Sequence, residues 1–181
     1  MTKMDIIEHL KSRWLDLSLH APVISQDDCL ATFYLYNLSG QIIGYQQYNP
    51  LGDKKVFNDK AKAKYYTYCK TPTLKVRGVE SLLEYKSGPV FVTEGLFDAA
   101  RMIWNGFAAV AILCNNPPRE YFNWLSSLAR EVVVVADGDS AGSKLLKLSS
   151  KNFICPDGED LGSVNQSFIT NLLDELQLPR N

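Results

Sequence analysis

Val132-Val133-Val134-Val135-Ala136-Asp137-Gly138-Asp139-Ser140-Ala141-Gly142 is a short apolar run that ends in two carboxylates offset by two residues. A run this compact and β-branched reads as a strand of a parallel sheet, buried on both faces, and the acids, the glycines and the helical pattern after them read as its exit toward a crossover. The pattern recurs in Val92-Thr93-Glu94-Gly95-Leu96-Phe97-Asp98 and in Cys155-Pro156-Asp157-Gly158-Glu159-Asp160. Ligands of open α/β sheets sit outside the carboxyl ends of the strands. Three acidic exits on neighbouring strands would therefore form one acidic pocket.

The second half of the chain reads as repeated βα units. Strands are expected over residues 89–93, 107–114, 131–136 and 152–155. Helices are expected over 96–105, where Leu96, Ala99, Ala100 and Ile103 form one apolar stripe stopped by Asn105-Gly106, and over 140–149 and 165–176. Asn115-Asn116-Pro117-Pro118 reads as a loop leading into a further helix, whose Tyr121, Phe122, Trp124, Leu125 and Leu128 are read as core. The first half is less regular. A leading helix is expected over 4–17, a hairpin from 29–36 and 41–48 around Asn37-Leu38-Ser39-Gly40, and a short helix over 78–85. The fold class expected is α/β: a mainly parallel sheet with flanking helices in residues 87–181, preceded by a small α+β subdomain in residues 1–86.

An acidic pocket needs a cation. Two carboxylates about 4 Å apart repel by roughly 4 kcal/mol at an effective dielectric near 20. A hard divalent ion relieves this, and Mg²⁺ takes a few carboxylate oxygens while leaving positions for phosphate. Gly95, Gly138 and Gly142, lacking a Cβ, suit close approach of the backbone beside these acids. Taken singly, each cluster has an ordinary structural reading as a strand exit, a helix cap or a turn. Together, and in this order, they read as a site.

Glu94-Gly95 with Asp98, followed by Asp137-Gly138-Asp139-Ser140-Ala141-Gly142, resembles the Toprim domain shared by topoisomerases, bacterial-type DNA primases and certain nucleases. Pro156-Asp157-Gly158-Glu159-Asp160 is similar to the stretch that follows the DxD motif in bacterial and phage primases. Gly40-Gln41-Ile42-Ile43-Gly44, then Lys55-Val56-Phe57-Asn58, resembles the run just before the Toprim motifs of primase polymerase domains, although Tyr45-Gln46-Gln47 stands where bacterial primases often carry glycine-arginine. The size resembles the compact polymerase domain of phage primase-helicases, without zinc-binding or helicase modules.

The resemblance implies a DNA primase-like nucleotidyltransferase that makes short RNA primers on single-stranded DNA from ribonucleotides, with Mg²⁺, or Mn²⁺ in its place, as cofactor and no zinc. Glu94, Asp137 and Asp139 are the implied catalytic residues, Glu94 acting as general base or only as ligand. The implied metal set is Glu94, Asp98, Asp137, Asp139, Asp157 and Asp160, holding one or two ions. A stand-alone Toprim nuclease using the same acids, with water as nucleophile, is the alternative. A haloacid-dehalogenase-type phosphatase, which also places DxD after an apolar strand, and a catalytically silent binding module are weaker rivals.

Charge adds a partner. The formal net charge is −1, yet Lys54, Lys55, Lys60, Lys62, Lys64, Lys70, Lys75 and Arg77 share one stretch with a single acid, Asp59. Lys54, Lys55, Asn58, Lys62 and Lys64 are the expected contacts to template and nucleotide, with Phe57, Tyr65, Tyr66 and Tyr68 interleaved for stacking. Lys144 and Lys147 are secondary candidates for phosphate. A separate helicase or template-recognition protein is the expected accessory partner. With 181 residues and 46% hydrophobic content, the chain is long enough for one domain and a small subdomain. No apolar stretch approaches the roughly 18 residues of a membrane span, so no membrane partner and a cytoplasmic location are expected, the host cytoplasm if the chain is phage-encoded. Cys29, Cys69, Cys114 and Cys155 lie apart and read as reduced thiols, and with only His9 and His20 the chain offers no zinc ligand set.

Overall fold

The structure is a computed structural model that describes residues 4–70, 74–114, 116–140 and 142–179; Asn115 and Ala141, which enter the expectations above, lie outside the described residues. Four strands, β5 (Val90–Thr93), β6 (Ala108–Ala111), β7 (Val132–Ala136) and β8 (Lys151–Ile154), pair in parallel in the order β6-β5-β7-β8. β5 and β6 are buried throughout, as is β7 beyond its first residue, which explains their uninterrupted apolar sequences. The chain leaves β5 for β6 on one side, then returns past β5 to β7 and continues to β8 on the other. The order therefore reverses between β5 and β7, the position at which open α/β sheets bind ligands.

Helices cover both faces. On one, α4 (Leu96–Trp104) and α6 (Gln166–Glu175) pack Ala99, Met102, Ile103, Ile169, Leu172 and Leu173 against Phe91, Ala109, Val133 and Val135. On the other, α5 (Arg119–Ser127) and a 3₁₀ helix, Gly142–Leu148, bring Tyr121, Leu125, Leu145 and Leu148 onto Val90, Val92, Val110 and Val134. Burying each large apolar side chain is worth about 1.5–3 kcal/mol, so α4, buried from Leu96 to Ile103, is firmly seated.

The amino-terminal half forms an antiparallel sheet of β1 (Val23–Ser25), β2 (Leu30–Tyr36), β3 (Ile42–Tyr48) and β4 (Tyr65–Cys69), in that order. Its inner residues Ala31, Phe33 and Tyr48 join Ile6 and Leu10 of α1 (Ile6–Ser12) and Leu96, Phe97 and Ala100 of α4 in one cluster. α4 thus serves both sheets. A second link is covalently adjacent: Val76 bridges Tyr36 while Arg77 pairs with Ala111, its N–H and carbonyl both bonded at 2.8 Å.

Four expectations shift. The leading helix stops at Ser12, capped at its start by Asp5, and Trp14 takes a left-handed φ of 63° before α2 (Leu17–His20), because Leu15 turns into the core. Residues 142–148 wind as 3₁₀ rather than α-helix, tied closely to the β7 exit. The expected helix over 78–85 contracts to α3 (Ser81–Glu84), since Gly78, at φ +84°, rests on the backbone of Ala109. In α5 only Tyr121 and Leu125 are fully buried, and Phe122 is 47% exposed. The four cysteines are free. No helix among the described residues is long and apolar enough to cross a membrane.

Candidate active site

Glu94 follows β5 and Asp137 follows β7, so the two acids stand at the adjacent carboxyl ends where the strand order reverses. Asp98 lies at the third position of α4, whose first turn faces the same place, and Asp160 follows β8 by way of the Pro156 to Glu159 turn. Glu94, Asp98, Asp137 and Asp160 line one cleft of about 310 Å³ together with Arg13, Gln46, Lys54, Tyr65, Gly95, Leu96, Phe97 and Leu113.

The loops are held by backbone bonds. Gly138 N–H donates to the Glu159 carbonyl and Gly158 N–H to the Gly138 carbonyl, both at 3.0 Å. A Cβ on Gly138 would collide with the Pro156 carbonyl oxygen, so glycine is what lets the second and third acidic stretches lie against each other. Gly142 sits on the Asp137 backbone, and Gly95 under the Asp98 carboxylate. At all three glycines the close neighbour is the chain itself. Asp98 accepts from Gly95 N–H at 3.1 Å and from Gly162 N–H at 2.9 Å, joining the Glu94 turn to the Asp160 loop.

Electrostatics follow from this crowding. Burial, with Asp137 and Asp160 adding repulsion, pushes Asp98 up to about 7. Burial and the charges of Glu94, Asp160 and Asp139 raise Asp137 to about 6, with Lys54 opposing. Glu94 is raised by burial, then by Asp139 and Asp98. Across the cleft the effect reverses. Burial, Lys54 and Arg13 lower Lys64, while Asp160 resists. The cleft thus has an acidic floor from the strand exits and a cationic wall of Lys54 and Arg13, with Lys64 outside the lining but near enough to feel both. The Arg13 guanidinium lies 4.5 Å from the centre of the Phe97 ring.

The remaining sequence-derived residues lie elsewhere. Asp139 is exposed, outside the cleft lining, and its Oδ1 accepts from Gly142 N–H at 2.7 Å as a cap to the 3₁₀ helix. Asp157 is exposed on the turn and does not line the cleft. Lys55, Asn58 and Lys62 are exposed, and Lys62 pairs with Asp59 at 3.2 Å. Lys147 bonds Asn116 at 2.8 Å. Among the described residues, no three His, Cys, Asp or Glu side chains already stand close enough to hold an ion.

No family model matches the sequence, and no curated protein is similar to it in sequence. Solved structures are similar in fold. The DnaG catalytic core matches with a TM-score of 0.69 and 17% identity over 93% of this chain and 72% of that one. The chain has the fold of a DNA primase catalytic core. A DNA primase domain from Pseudomonas aeruginosa matches with a TM-score of 0.61 and 19% identity, over 93% of this chain and 58% of its own length. A DnaG primase catalytic domain bound to single-stranded DNA matches with 0.60 and 18%, over 87% and 59%. At 93% of this chain, the first match extends beyond the parallel-sheet half into the amino-terminal half. Against this primase-core fold, Arg13, Gln46 and Leu113 are cleft residues that the sequence did not single out. Arg13 ends an ordinary amphipathic helix and carries no local signal. Gln46 had one, since adjacent glutamines, Gln46 and Gln47, are both buried within a run of β-formers.

Proposed function

We propose that the chain is a metal-dependent nucleotidyltransferase of the primase type, making short RNA on a single-stranded DNA template. The observation that carries this is the cleft at the sheet's reversal point, acidic on one wall and cationic on the other, set in a primase-core fold. The donor set suits a hard divalent cation: every acid is a carboxylate, and the buried Oδ1 of Asp160 has no hydrogen-bond partner. Burial first, and then mutual repulsion, raises Glu94, Asp98 and Asp137, as expected of carboxylates gathered in a cleft without a full counter-charge.

Glu94, Asp137 and Asp160 would hold Mg²⁺, or Mn²⁺ in its place, with Asp139 reaching in by side-chain rotation. A divalent ion held by these carboxylates would supply positive charge to the attacking and leaving oxygens of a phosphoryl transfer. Asp98, bonded to two backbone N–H groups, acts as a positioning residue that fixes the Glu94 turn against the Asp160 loop. Lys54, Lys64 and Arg13 bind the triphosphate and template phosphates, and Lys54 also opposes the rise at Asp137. Tyr65, beside them in the cleft, offers a ring to a base.

The test is one incubation of the protein with single-stranded DNA, labelled ribonucleotides and Mg²⁺ or Mn²⁺, beside an end-labelled strand to report cleavage. New short labelled oligonucleotides are expected from the wild type and none from Glu94→Gln. Shortened input strands without synthesis would replace this reading with that of a nuclease using the same acids.

A further inference from the structure

The antiparallel sheet has a second face, turned away from the cleft. Pairing sets Tyr34 opposite Tyr45 and Tyr45 opposite Tyr68, so three strands contribute one row of tyrosines. Strand alternation puts this row on the side opposite Phe33 and Leu35, which are buried, and opposite Gln46 and Tyr65, which line the cleft. Tyr34 is 43% exposed and Tyr68 48%. The Tyr45 ring lies 5.5 Å from that of Tyr68 and 6.4 Å from that of Tyr66, and the Lys60 ammonium sits 5.5 Å from its centre.

Cross-strand aromatic pairs do steady a sheet, by roughly 0.2–1 kcal/mol each. Pairing alone does not call for tyrosines on all three strands, with Tyr34 and Tyr68 exposed and Tyr45 half-buried between them. Neighbouring strands stand about 4.8 Å apart, so the row spans the width on which sheet-based modules stack two or three bases. The charge agrees with a polyanion: residues 54–70 hold Lys54, Lys55, Lys60, Lys62, Lys64 and Lys70 against the single acid Asp59. β4 is an edge strand and carries Tyr65 toward the cleft and Tyr66 and Tyr68 away from it, so one strand's width separates the two faces.

We propose that the Tyr34-Tyr45-Tyr68 row is a base-stacking platform for a single-stranded polynucleotide, holding the strand outside the acidic cleft. The platform rests on the polynucleotide reading of that cleft, but its test needs no catalysis. Labelled homopyrimidine DNA and RNA are titrated in EDTA against wild type, Tyr45→Leu/Tyr68→Leu, Tyr68→Phe and Lys60→Gln, with circular dichroism checking the fold. The leucine pair is expected to weaken binding roughly tenfold or more with an unchanged salt slope, the phenylalanine variant to bind as wild type, and Lys60→Gln to reduce the slope by about one. The two oligonucleotides tell whether DNA or RNA is held. Photocrosslinking of the unaltered protein to 5-iodouracil strands is expected at Tyr34, Tyr45 or Tyr68, and decides the matter if the leucine pair does not fold. Unchanged affinity in a folded leucine pair, or crosslinks confined to cleft residues, would overturn the platform. A changed oligomeric state with unchanged binding would assign this face to a second copy of the chain. Each of these failures would leave the magnesium-dependent synthesis assay of the cleft untouched.

Discussion

Replacing Asp137 by asparagine should make the metal-free protein more stable while abolishing its activity. Burial and the charges of Glu94, Asp160 and Asp139 carry Asp137 from 3.8 to about 6. A rise of this size corresponds to about 3 kcal/mol of folding free energy withheld when the group is ionised. Asp137 is only half-buried, and solvent screening brings the figure to roughly 1–2 kcal/mol. The sign follows from protons: the folded state holds this one more tightly than the unfolded chain, so the penalty is absent below about pH 4, grows through pH 6 and is complete above it. In EDTA at pH 8, Asp137→Asn is expected to melt about 2–8 °C above wild type, at about 2–4 °C per kcal/mol for this length, with the gap closing by pH 4. Saturating Mg²⁺ should stabilise the wild type and leave the variant almost unmoved. A variant equal to or weaker than wild type at pH 8 in EDTA would refute the crowding of acids on which the cleft's chemistry depends.

Three further outcomes are expected. Gly138→Ala pushes the Pro156 to Gly158 turn off the β7 exit and should cost about 1–3 kcal/mol in urea unfolding, with synthesis lost as the Asp160 loop shifts. Lys54→Ala should weaken polynucleotide binding and lower the salt slope by about one in anisotropy titrations, while Lys55→Ala, outside the cleft lining, has the smaller effect. Arg77 is buried at the junction of the two sheets, donating to the carbonyls of Tyr34 at 2.9 Å and His20 at 3.2 Å and standing 3.5 Å from Glu80, so Arg77→Leu should cost about 3–5 kcal/mol by leaving Glu80 to His20 alone.

How far the sequence carried depended on where the information was local. β5 and β7 were legible because an apolar run ending in an acid states its own length and its exit, whereas β8, short and mostly exposed, was legible from the Pro156-Asp157-Gly158 turn that follows it. α4 and α6 were legible from apolar spacing and from the Asn105-Gly106 and Asn165 boundaries. β4 was missed because Tyr65 to Cys69 sits among lysines and becomes a strand only through pairing with β3, about twenty residues earlier. The break at Trp14 was invisible for a similar reason, since a helical pattern runs through it and only the burial of Leu15 interrupts it. In the site, the convergence of Glu94, Asp98, Asp137 and Asp160 was readable from strand exits. The structure adds that Asp98 is engaged by two backbone N–H groups, that Asp139 caps a 3₁₀ helix and that Asp157 faces solvent. Such differences among similar acids are set by loop geometry, which residue order does not encode. Arg13 and Gln46 reach the cleft from elements far away in sequence, and only the packing of α1 and β3 against α4 brings them there.

The central claim is that acids from three strand exits share a divalent ion, and Mn²⁺ binding followed by electron paramagnetic resonance tests it most directly. Titration of the wild type should convert free Mn²⁺ to a bound signal at one or two ions per chain, displaced by Mg²⁺ and lost in both Glu94→Gln and Asp137→Asn. Mn²⁺ that stays free with the wild type, or binds undiminished to both variants, would contradict the account.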